Sequence, residues 1–253
     1  MAHLLEVAGV SRSFGGVLAL NNITFDVLKG EIFSVIGPNG AGKTTLFNLL
    51  TGVFTADRGT ITFLGKDITN KRTHEIARLG LQRTFQNLQL FLNMNCIENV
   101  MTACHTRIHS GMISACLRLP KVVCEEKAVQ KWAMEALDFV GMKDLAHERS
   151  DALPYGLLKK LEIARALAAR PKLLLLDEPA AGLNDTETVE MRRLIESISA
   201  HGITVILVEH NMTLVMECSH KIMVLNHGQC LKLGTPTEIQ RDPDVIAAYL
   251  GEH

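Results

Sequence analysis

The sequence of 253 residues lacks the long apolar runs and the charge excess that mark two large classes of protein. A membrane-spanning helix needs about 18 or more consecutive apolar residues, whereas the longest such run near the centre of the chain is Leu173–Leu176. Lys and Arg number 26 and Asp and Glu number 27, which leaves a formal net charge of -1. This balance argues against a protein that bulk positive charge holds to nucleic acid. The opening residues, MAHLLEVAGV, lack a basic region and a cleavage pattern, so we expect no secretory signal there.

The spacing of the cysteines argues against the common metal motifs. None of the six cysteines forms a CxxC pair, the cysteine spacing of the common zinc motifs. We therefore interpret the cysteines as reduced thiols that serve as small apolar side chains. They are Cys96, Cys104, Cys116, Cys124, Cys218 and Cys230.

Predicted strands and helices alternate along the chain, which indicates an α/β fold with a mostly parallel sheet. Apolar and β-branched runs predict the strands, at Leu5–Val10, Ile23–Val27, Glu31–Ile36, Thr60–Leu64, Lys172–Leu176, Thr204–Val208 and Lys221–Leu225. Helices are predicted at Lys43–Leu50 and Lys159–Ala169, and a short one between the last two strands. From Asn95 to about Gly141 the pattern is helical with a break at Leu117–Pro120, so we expect an inserted helical subdomain at about 95–157.

A phosphate-binding motif follows the strand predicted at Glu31–Ile36. Residues 37–44 read Gly-Pro-Asn-Gly-Ala-Gly-Lys-Thr and fit the pattern GxxxxGK[ST], which background residue frequencies would produce in roughly one chain of this length in a hundred. Glycines let backbone N–H groups wrap phosphates, Lys43 can reach the β- and γ-phosphates, and the Thr44 hydroxyl can bind Mg²⁺. The simpler alternative is a Gly-rich turn before a helix. The candidate nucleotide-binding residues are Gly37, Pro38, Asn39, Gly40, Ala41, Gly42, Lys43, Thr44 and Thr45.

Two carboxylates, Asp177 and Glu178, directly follow the apolar run Leu173–Leu176. In open α/β sheets, ligands bind at the carboxyl ends of the strands. Asp177 can hold Mg²⁺ there through water, and Glu178 can polarise the attacking water as a general base. The alternative is a solvated acidic turn. This alternative is a poorer explanation because the same chain also has a phosphate-binding motif.

Three further side chains are weaker candidates when the residues are taken alone. His210 follows a predicted strand, where a histidine can contact the γ-phosphate or hold the attacking water, although a lone histidine is more often structural. Gln86 carries an amide that can touch Mg²⁺ and the water, but by itself it would be assigned to the surface. Phe14 precedes the phosphate motif, and its ring can stack on adenine or simply pack in a core or loop.

These elements, in this order, resemble the ATP-binding-cassette (ABC) ATPases over essentially the whole chain. That family has an aromatic residue, a Walker A loop, a glutamine loop, a signature motif, a Walker B strand, a D-loop and a switch histidine in series. The matching segments are Phe14, Gly37–Thr45, Gln86, Leu153–Leu157, Leu173–Glu178, Ala181–Asn184 and His210. The resemblance implies a P-loop NTPase (RecA-like) core with a mostly parallel sheet, an antiparallel β subdomain and an inserted α-helical subdomain.

The resemblance also implies ATP and Mg²⁺ as cofactors and assigns roles to residues. Catalysis is expected from Glu178, His210 and Gln86, and metal binding from Thr44, Gln86 and Asp177. Tyr155 and Gly156 of the signature, together with Phe14, are expected to bind nucleotide. The whole chain is expected to form one nucleotide-binding domain, with a core at 1–92 and 158–235, a helical signature subdomain at 93–157 and a C-terminal family tail at 236–253.

Two motifs depart from the family pattern. The usual signature reads Leu-Ser-Gly-Gly-Gln, whereas this chain has Leu-Pro-Tyr-Gly-Leu at 153–157, so that Pro154 takes the place of the serine. Asn184 replaces the aspartate of the D-loop. Both departures concern the catalytic site to which this signature contributes, and neither affects the Walker residues.

Within the family, the chain is most similar to the larger ATPase subunit of branched-chain amino acid importers. Three segments carry this similarity: Arg83–Phe91 around the glutamine loop, the signature and D-loop variants, and the tail Asp242–Gly251. Urea and short-amide importers have closely similar ATPases. The resemblance implies a dimer with a second ABC ATPase, as a heterodimer or a homodimer, and two membrane permeases docked near the glutamine loop. It also implies an extracytoplasmic binding protein, no nucleic acid partner, and a peripheral position on the cytoplasmic face of the membrane.

Two other functions compete with an importer ATPase. A soluble ABC ATPase acting on ribosomes or DNA usually has two fused cassettes, a long coiled coil or a basic face, none of which this sequence has. A binding module without ATPase activity conflicts with the intact Lys43, Asp177 and Glu178. A small GTPase is disfavoured because no NKxD motif for reading the base occurs.

Overall fold

The protein contains two β-sheets in this computed structural model, which describes residues 3–104 and 120–250, apart from the side chains of 120–123, 249 and 250. The first sheet is antiparallel, in the order β2-β1-β4-β5. Its strands are β1 (His3–Phe14), β2 (Val17–Leu28), β4 (Arg58–Phe63) and β5 (Lys66–Asp67).

The second sheet has the order β10-β9-β3-β8-β7-β6 and is parallel except for its edge pair β9–β10. Its central strands are buried along their whole length, which explains their continuous apolar sequences. The strands are β3 (Ile32–Ile36), β6 (Leu81–Arg83), β7 (Leu173–Asp177), β8 (Thr204–Val208), β9 (Lys221–Asn226) and β10 (Gln229–Gly234).

The α-helices of the described residues lie between these strands, most of all in the segment that joins β6 to β7, and after the last strand, β10. A further pair of short 3-10 helices lies at Lys143–Leu145 and Ser150–Ala152. The α-helices are α1 (Lys43–Leu50), α2 (Thr73–Leu79), α3 (Cys96–Ala103), α4 (Pro120–Phe139), α5 (Tyr155–Ala168), α6 (Asp185–Ala200), α7 (Met212–Cys218), α8 (Pro236–Gln240) and α9 (Pro243–Leu250). Within the described ranges, none of them combines the length and apolar character needed to cross a membrane.

The chain divides into two compact units. The sheet unit comprises Met1–Arg83 and Lys172–His253 and holds both sheets. A core that includes Phe33, Phe47 and Phe63 joins them. The helical unit comprises Thr84–Pro171, where α3, α4 and α5 pack on one another. The prediction of an α/β P-loop fold with an antiparallel sheet and a helical insert is confirmed.

Several predicted element bounds need correction. The helix predicted at Lys159–Ala169 begins at Tyr155, because the carbonyl of Pro154 already accepts the N–H groups of Leu157 and Leu158. Helices α2 and α6 have no counterpart among the predicted elements. The predicted break at Leu117–Pro120 lies outside the described residues except for Pro120, where α4 begins. Cys116 and the end of the C-terminal tail, residues 251–253, also lie outside them.

Candidate nucleotide-binding site

The phosphate motif forms a loop between β3 and α1 whose glycines are required by the backbone. Gly37 and Gly42 have φ angles of 150° and 107°. A Cβ on Gly37 would lie 2.1 Å from the carbonyl oxygen of Leu225, and one on Gly42 would lie 2.7 Å from the Leu20 side chain. Larger residues therefore cannot occupy these two positions without moving their neighbours.

Lys43 is folded back into this loop. Its ammonium donates hydrogen bonds to the carbonyl oxygens of Gly37 at 2.6 Å and of Pro38 at 2.9 Å, and the residue is only 7% exposed. Thr44, the next residue of α1, is exposed, and the first turn of α1 contains no acidic residue. A cation, a hydroxyl and a helix N-terminus thus lie at one end of β3, and this set of donors fits the phosphates of a nucleotide.

Asp177 ends β7 and is held by a buried ion pair. Its Oδ2 accepts a hydrogen bond from Arg83 Nη2 at 2.8 Å, and both side chains are 7% exposed. Arg83 also donates to Asn48 Oδ1 at 2.6 Å, which ties β6 to α1. Sequence reasoning did not assign a role to Arg83, since only the pairing of β6 with β7 brings it to Asp177. The Asp177 carboxylate and the Thr44 hydroxyl are oxygen donors of the kind that Mg²⁺ prefers.

Glu178 and His210 lie together at the ends of β7 and β8. His210 Nε2 is 3.2 Å from Glu178 Oε1, and the glutamate side chain is 16% exposed. Glu178 has a φ angle of 50°, an uncommon backbone conformation for a residue with a side chain, and its N–H donates to the carbonyl of Val208 at 2.8 Å. Strained backbone of this kind is often found at functional sites. The structure therefore pairs the predicted base with the predicted switch histidine.

Phe14 ends β1 with a partly open ring that is 37% exposed. The Phe54 ring packs edge-on at 5.0 Å, and the Arg12 guanidinium lies 4.7 Å from the Phe14 centroid. Arg12 is paired with Asp57 at 2.8 Å. Hydrogen bonds from the Ser13 side chain and N–H lower the pKa of Asp57, and Arg12 adds to this effect. The ring is thus fixed at its edge and partly open, as stacking on a base would require.

Gln86 lies in the helical unit, in a segment held by side chains of α5. Glu162 Oε1 accepts the N–H of Phe85 at 3.2 Å, Lys159 Nζ donates to the carbonyl of Gln86 at 3.4 Å, and Arg165 donates to the carbonyl of Gln89. Gln86 itself is exposed. Glu162, which sequence reasoning missed, is 3% exposed, and burial raises its pKa.

The signature residues start α5, also in the helical unit. Pro154 occupies the N-cap position and provides no side-chain hydrogen bond. Tyr155 is 44% exposed, whereas Gly156 is buried. The segment therefore presents an aromatic ring to solvent and lacks the hydroxyl that the usual signature serine supplies.

Asn184 and Glu209 also have defined structural roles. Asn184, the residue in the D-loop aspartate position, caps α6 by accepting the N–H of Glu187 at 3.0 Å. Glu209 is 3% exposed and accepts the N–H groups of Ala180 and His210 at 2.6 and 2.9 Å. Burial raises the pKa of Glu209, and these hydrogen bonds partly offset that effect. The sequence places Glu209 beside His210 but does not show that it reaches Ala180.

Known proteins match the chain along nearly its whole length. The ABC transporter family model matches residues 20–181, and the branched-chain amino acid ATP-binding cassette transporter model matches residues 233–253. The high-affinity branched-chain amino acid transport ATP-binding protein BraF of Pseudomonas aeruginosa is 43% identical over 98% of each chain. The corresponding protein LivG of Escherichia coli is also 43% identical over 98% of each chain.

Solved structures agree with this assignment. The ADP conformation of an ATP-binding cassette of an ABC transporter superposes with a TM-score of 0.87 at 31% identity, with both chains fully covered. A nucleotide-free cassette superposes with a TM-score of 0.86 at 30% identity and covers 99% of this chain and 100% of its own. These matches confirm the predicted fold and the prediction of an ABC-type ATPase. The chain belongs to the ABC transporter family, as one of its ATP-binding cassettes.

Proposed function

We propose that this chain binds and hydrolyses MgATP to power an importer of branched-chain amino acids. The observation that carries the catalytic part is the 3.2 Å pair of Glu178 and His210 at the strand ends that also hold Asp177. The importer part is supported by the relatives BraF and LivG, which are branched-chain amino acid transport ATP-binding proteins. The match of residues 233–253 to the branched-chain amino acid cassette model supports the same assignment.

The candidate site residues have separate tasks in this proposal. Lys43 and the loop from Gly37 to Gly42 bind the phosphates, and Phe14 stacks on adenine. Thr44 and Asp177 bind Mg²⁺, which when present neutralises charge on the phosphates, and Gln86 keeps the metal-binding role that the family resemblance implies. Glu178 takes the proton of the attacking water as a general base. His210 orients Glu178 through their contact and can donate to the γ-phosphate.

The working assembly in this proposal is a dimer of ATPase subunits, with Tyr155 and Gly156 of each contacting the nucleotide of the other. A second, different ABC ATPase is the favoured partner, and a homodimer is the alternative. In this proposal the dimer binds two permeases at the cytoplasmic face of the membrane, and an extracytoplasmic binding protein works with the permeases. Nucleic acid is not a partner. The whole chain acts as one nucleotide-binding domain, and residues 236–253 form a C-terminal tail of the kind that the family has.

The docking surface for the permeases is proposed to lie in the helical unit beside Gln86. Phe85, Phe91 and Leu92 are 41%, 49% and 50% exposed, which leaves large apolar side chains for a partner to cover. Single cysteines introduced at Asn87 or Asn93 should cross-link to the permeases in an active complex. If neither position forms a cross-link, this surface is not the docking site.

The hydrolytic role is tested with Glu178→Gln. The amide keeps the shape of the carboxylate but cannot accept a proton, so single-turnover hydrolysis should fall by about 10²- to 10⁴-fold. MgATP affinity, measured by nucleotide titration, should stay the same. Glu6→Gln, which neutralises an exposed carboxylate of the same unit, is the matched control and should hydrolyse normally. Normal turnover by Glu178→Gln would remove Glu178 from its role.

The transported molecule is tested separately, by reconstituting the complete complex in vesicles. ATP-dependent uptake of leucine, isoleucine or valine would support the proposed substrate class. Uptake of urea, short amides or other amino acids instead would favour a related importer. ATPase activity in the isolated chain without any recovery from membranes would favour a soluble, non-transport ABC ATPase.

A further inference from the structure

One buried carboxylate bridges two segments of the proposed catalytic site. Glu209 follows β8 and is 3% exposed. Its Oε1 accepts the N–H of Ala180 at 2.6 Å, and its Oε2 accepts the N–H of His210 at 2.9 Å and of Asn211 at 3.3 Å. The two oxygens of a single side chain therefore hold two different parts of the chain.

These contacts close a ring around the catalytic pair. Ala180 comes two residues after Glu178, and His210 comes directly after Glu209. The contact between His210 Nε2 and Glu178 Oε1 at 3.2 Å completes the ring. A displacement of either segment would change the distance between the base and the histidine, because each is one or two residues from an N–H group that Glu209 binds.

The chemistry of this bridge favours an ionised carboxylate. An ionised carboxylate only accepts hydrogen bonds and can serve all three N–H groups at once. Such bonds to a charged acceptor are stronger than neutral ones. An amide at the same position would turn its NH₂ group toward one of the two segments, where it would meet N–H groups and could bond only the other.

We propose that Glu209 is a positioning residue, which sets the separation of Glu178 and His210 by tying the segment after Glu178 to the loop that carries His210. It touches neither substrate nor the reacting atoms and acts through the catalytic pair. The inference rests on the roles assigned above to Glu178 and His210.

Glu209→Gln tests this assignment when MgATP affinity and the rate of ATP hydrolysis are measured separately. MgATP affinity should stay within about threefold of the parent, since the phosphate loop is not changed. Single-turnover hydrolysis should fall by about 10- to 150-fold, the effect of losing one hydrogen bond to a charged group. Glu31→Gln is the matched control, because Glu31 also accepts a backbone N–H, that of Leu28 at 2.7 Å, at the opposite end of β3. The control should lower stability without slowing hydrolysis.

A second variant covers the case in which Glu209→Gln does not fold. Glu209→Asp keeps the charge but, being one methylene shorter, reaches only one segment, so it should show the same loss of rate with unchanged affinity. Full activity in either folded variant would overturn the proposal, and so would a loss of affinity equal to the loss of rate.

The double variant Glu178→Gln/Glu209→Gln separates this inference from the proposed function. If Glu209 acts through Glu178, the double variant should hydrolyse ATP no more slowly than Glu178→Gln alone. Additive losses would show that Glu209 acts elsewhere and would overturn the inference. A normal rate in Glu178→Gln itself would instead overturn the assigned role of Glu178, whatever Glu209 does.

Discussion

The two compact units hold their functional segments by different means. In the sheet unit, Asp177 ends β7, whereas Lys43 and His210 follow the ends of the neighbouring parallel strands β3 and β8, and β7 and β8 pair in register up to Asp177 and Val208. In the helical unit, Gln86 belongs to no helix or strand. Its segment is held by Lys159, Glu162 and Arg165, which recur at three-residue spacing along α5.

This difference indicates how each unit responds to substitution. Strand ends are placed by backbone hydrogen bonds, so apolar substitutions in β7 should lower stability without moving the site. The glutamine segment is placed by side chains, so single substitutions in α5 should release it locally. We expect the resulting changes in stability to be largest in β7 and smallest at the start of α5.

Leu175→Ala in β7 should cause the largest loss of stability. Leu175 is completely buried between its neighbours in the sheet. Its truncation leaves a cavity, and the free energy of unfolding should fall by about 2–5 kcal/mol. Urea denaturation measures this change, and MgATP affinity below the transition should stay that of the parent. Val189→Ala, at a site 40% exposed on α6, is the control, with an expected change within about 0.5 kcal/mol. A large loss of affinity in Leu175→Ala would break the contrast.

Glu162→Ala in α5 should act locally. The N–H of Phe85 loses its carboxylate partner, which should lower the free energy of local opening there by about 1–3 kcal/mol. Native-state hydrogen exchange measures this as faster exchange at Phe85, while the Val205 amide, bonded within the sheet unit, should be unchanged. Equal acceleration at both amides would indicate that the glutamine segment is not held by this side chain.

The buried Glu162 also predicts a pH dependence. Burial raises its pKa above the ordinary value, although the N–H of Phe85 and the charges of Lys159 and Arg165 partly oppose this. The folded state therefore binds more protons than the unfolded state between the ordinary pKa of about 4.3 and the raised value. Stability should decline as pH rises through this window. Glu162→Gln should lose that decline, and a parallel pH profile for both proteins would contradict the prediction.

Sequence reasoning succeeded where local pattern determines structure and failed where tertiary contacts do. The bounds of α1 and β8 were predicted correctly, because a glycine loop before a helix and a short buried strand are local signals. The start of α5 was predicted four residues late, because Pro154 was not recognised as an N-cap. The partners of Arg83, Glu162 and Glu209 were not predictable, since each lies on a different element from the group that it binds.

The next smaller loss of stability is expected at the N-cap of α6. Asn184 accepts the N–H of Glu187, and Glu187 accepts the N–H of Asn184 in return, each at 3.0 Å. Asn184→Ala removes the side-chain acceptor and should cost about 1 kcal/mol, typical of a lost N-cap. Asn184→Asp keeps an acceptor and restores the usual family residue, so its stability should match the parent closely. A substantial loss in Asn184→Asp, measured by urea denaturation, would show that the asparagine amide has a further partner.

Pro154→Ser at the start of α5 should change stability least, because two effects oppose each other. The serine hydroxyl can cap a helix that now has no side-chain cap, a gain of about 1 kcal/mol. Loss of proline frees the unfolded chain, a cost of about 0.4–1 kcal/mol. The net change in the free energy of unfolding should therefore stay within about 0.5 kcal/mol, while the signature gains a hydroxyl donor.

That donor should act on the nucleotide of the partner ATPase in the assembled complex. With Glu178→Gln present to silence this chain's own site, Pro154→Ser should raise the remaining turnover about tenfold or more, since a hydrogen bond to a charged group is worth about 1.5–3 kcal/mol. Pro154→Ala, which restores the N–H but adds no hydroxyl, is the matched control. Equal gains from serine and alanine would assign the effect to the backbone. No gain from either variant would mean that Pro154 does not limit ATP turnover at the site that this signature faces. Pro154 would then not make the two ATP sites of the complex unequal.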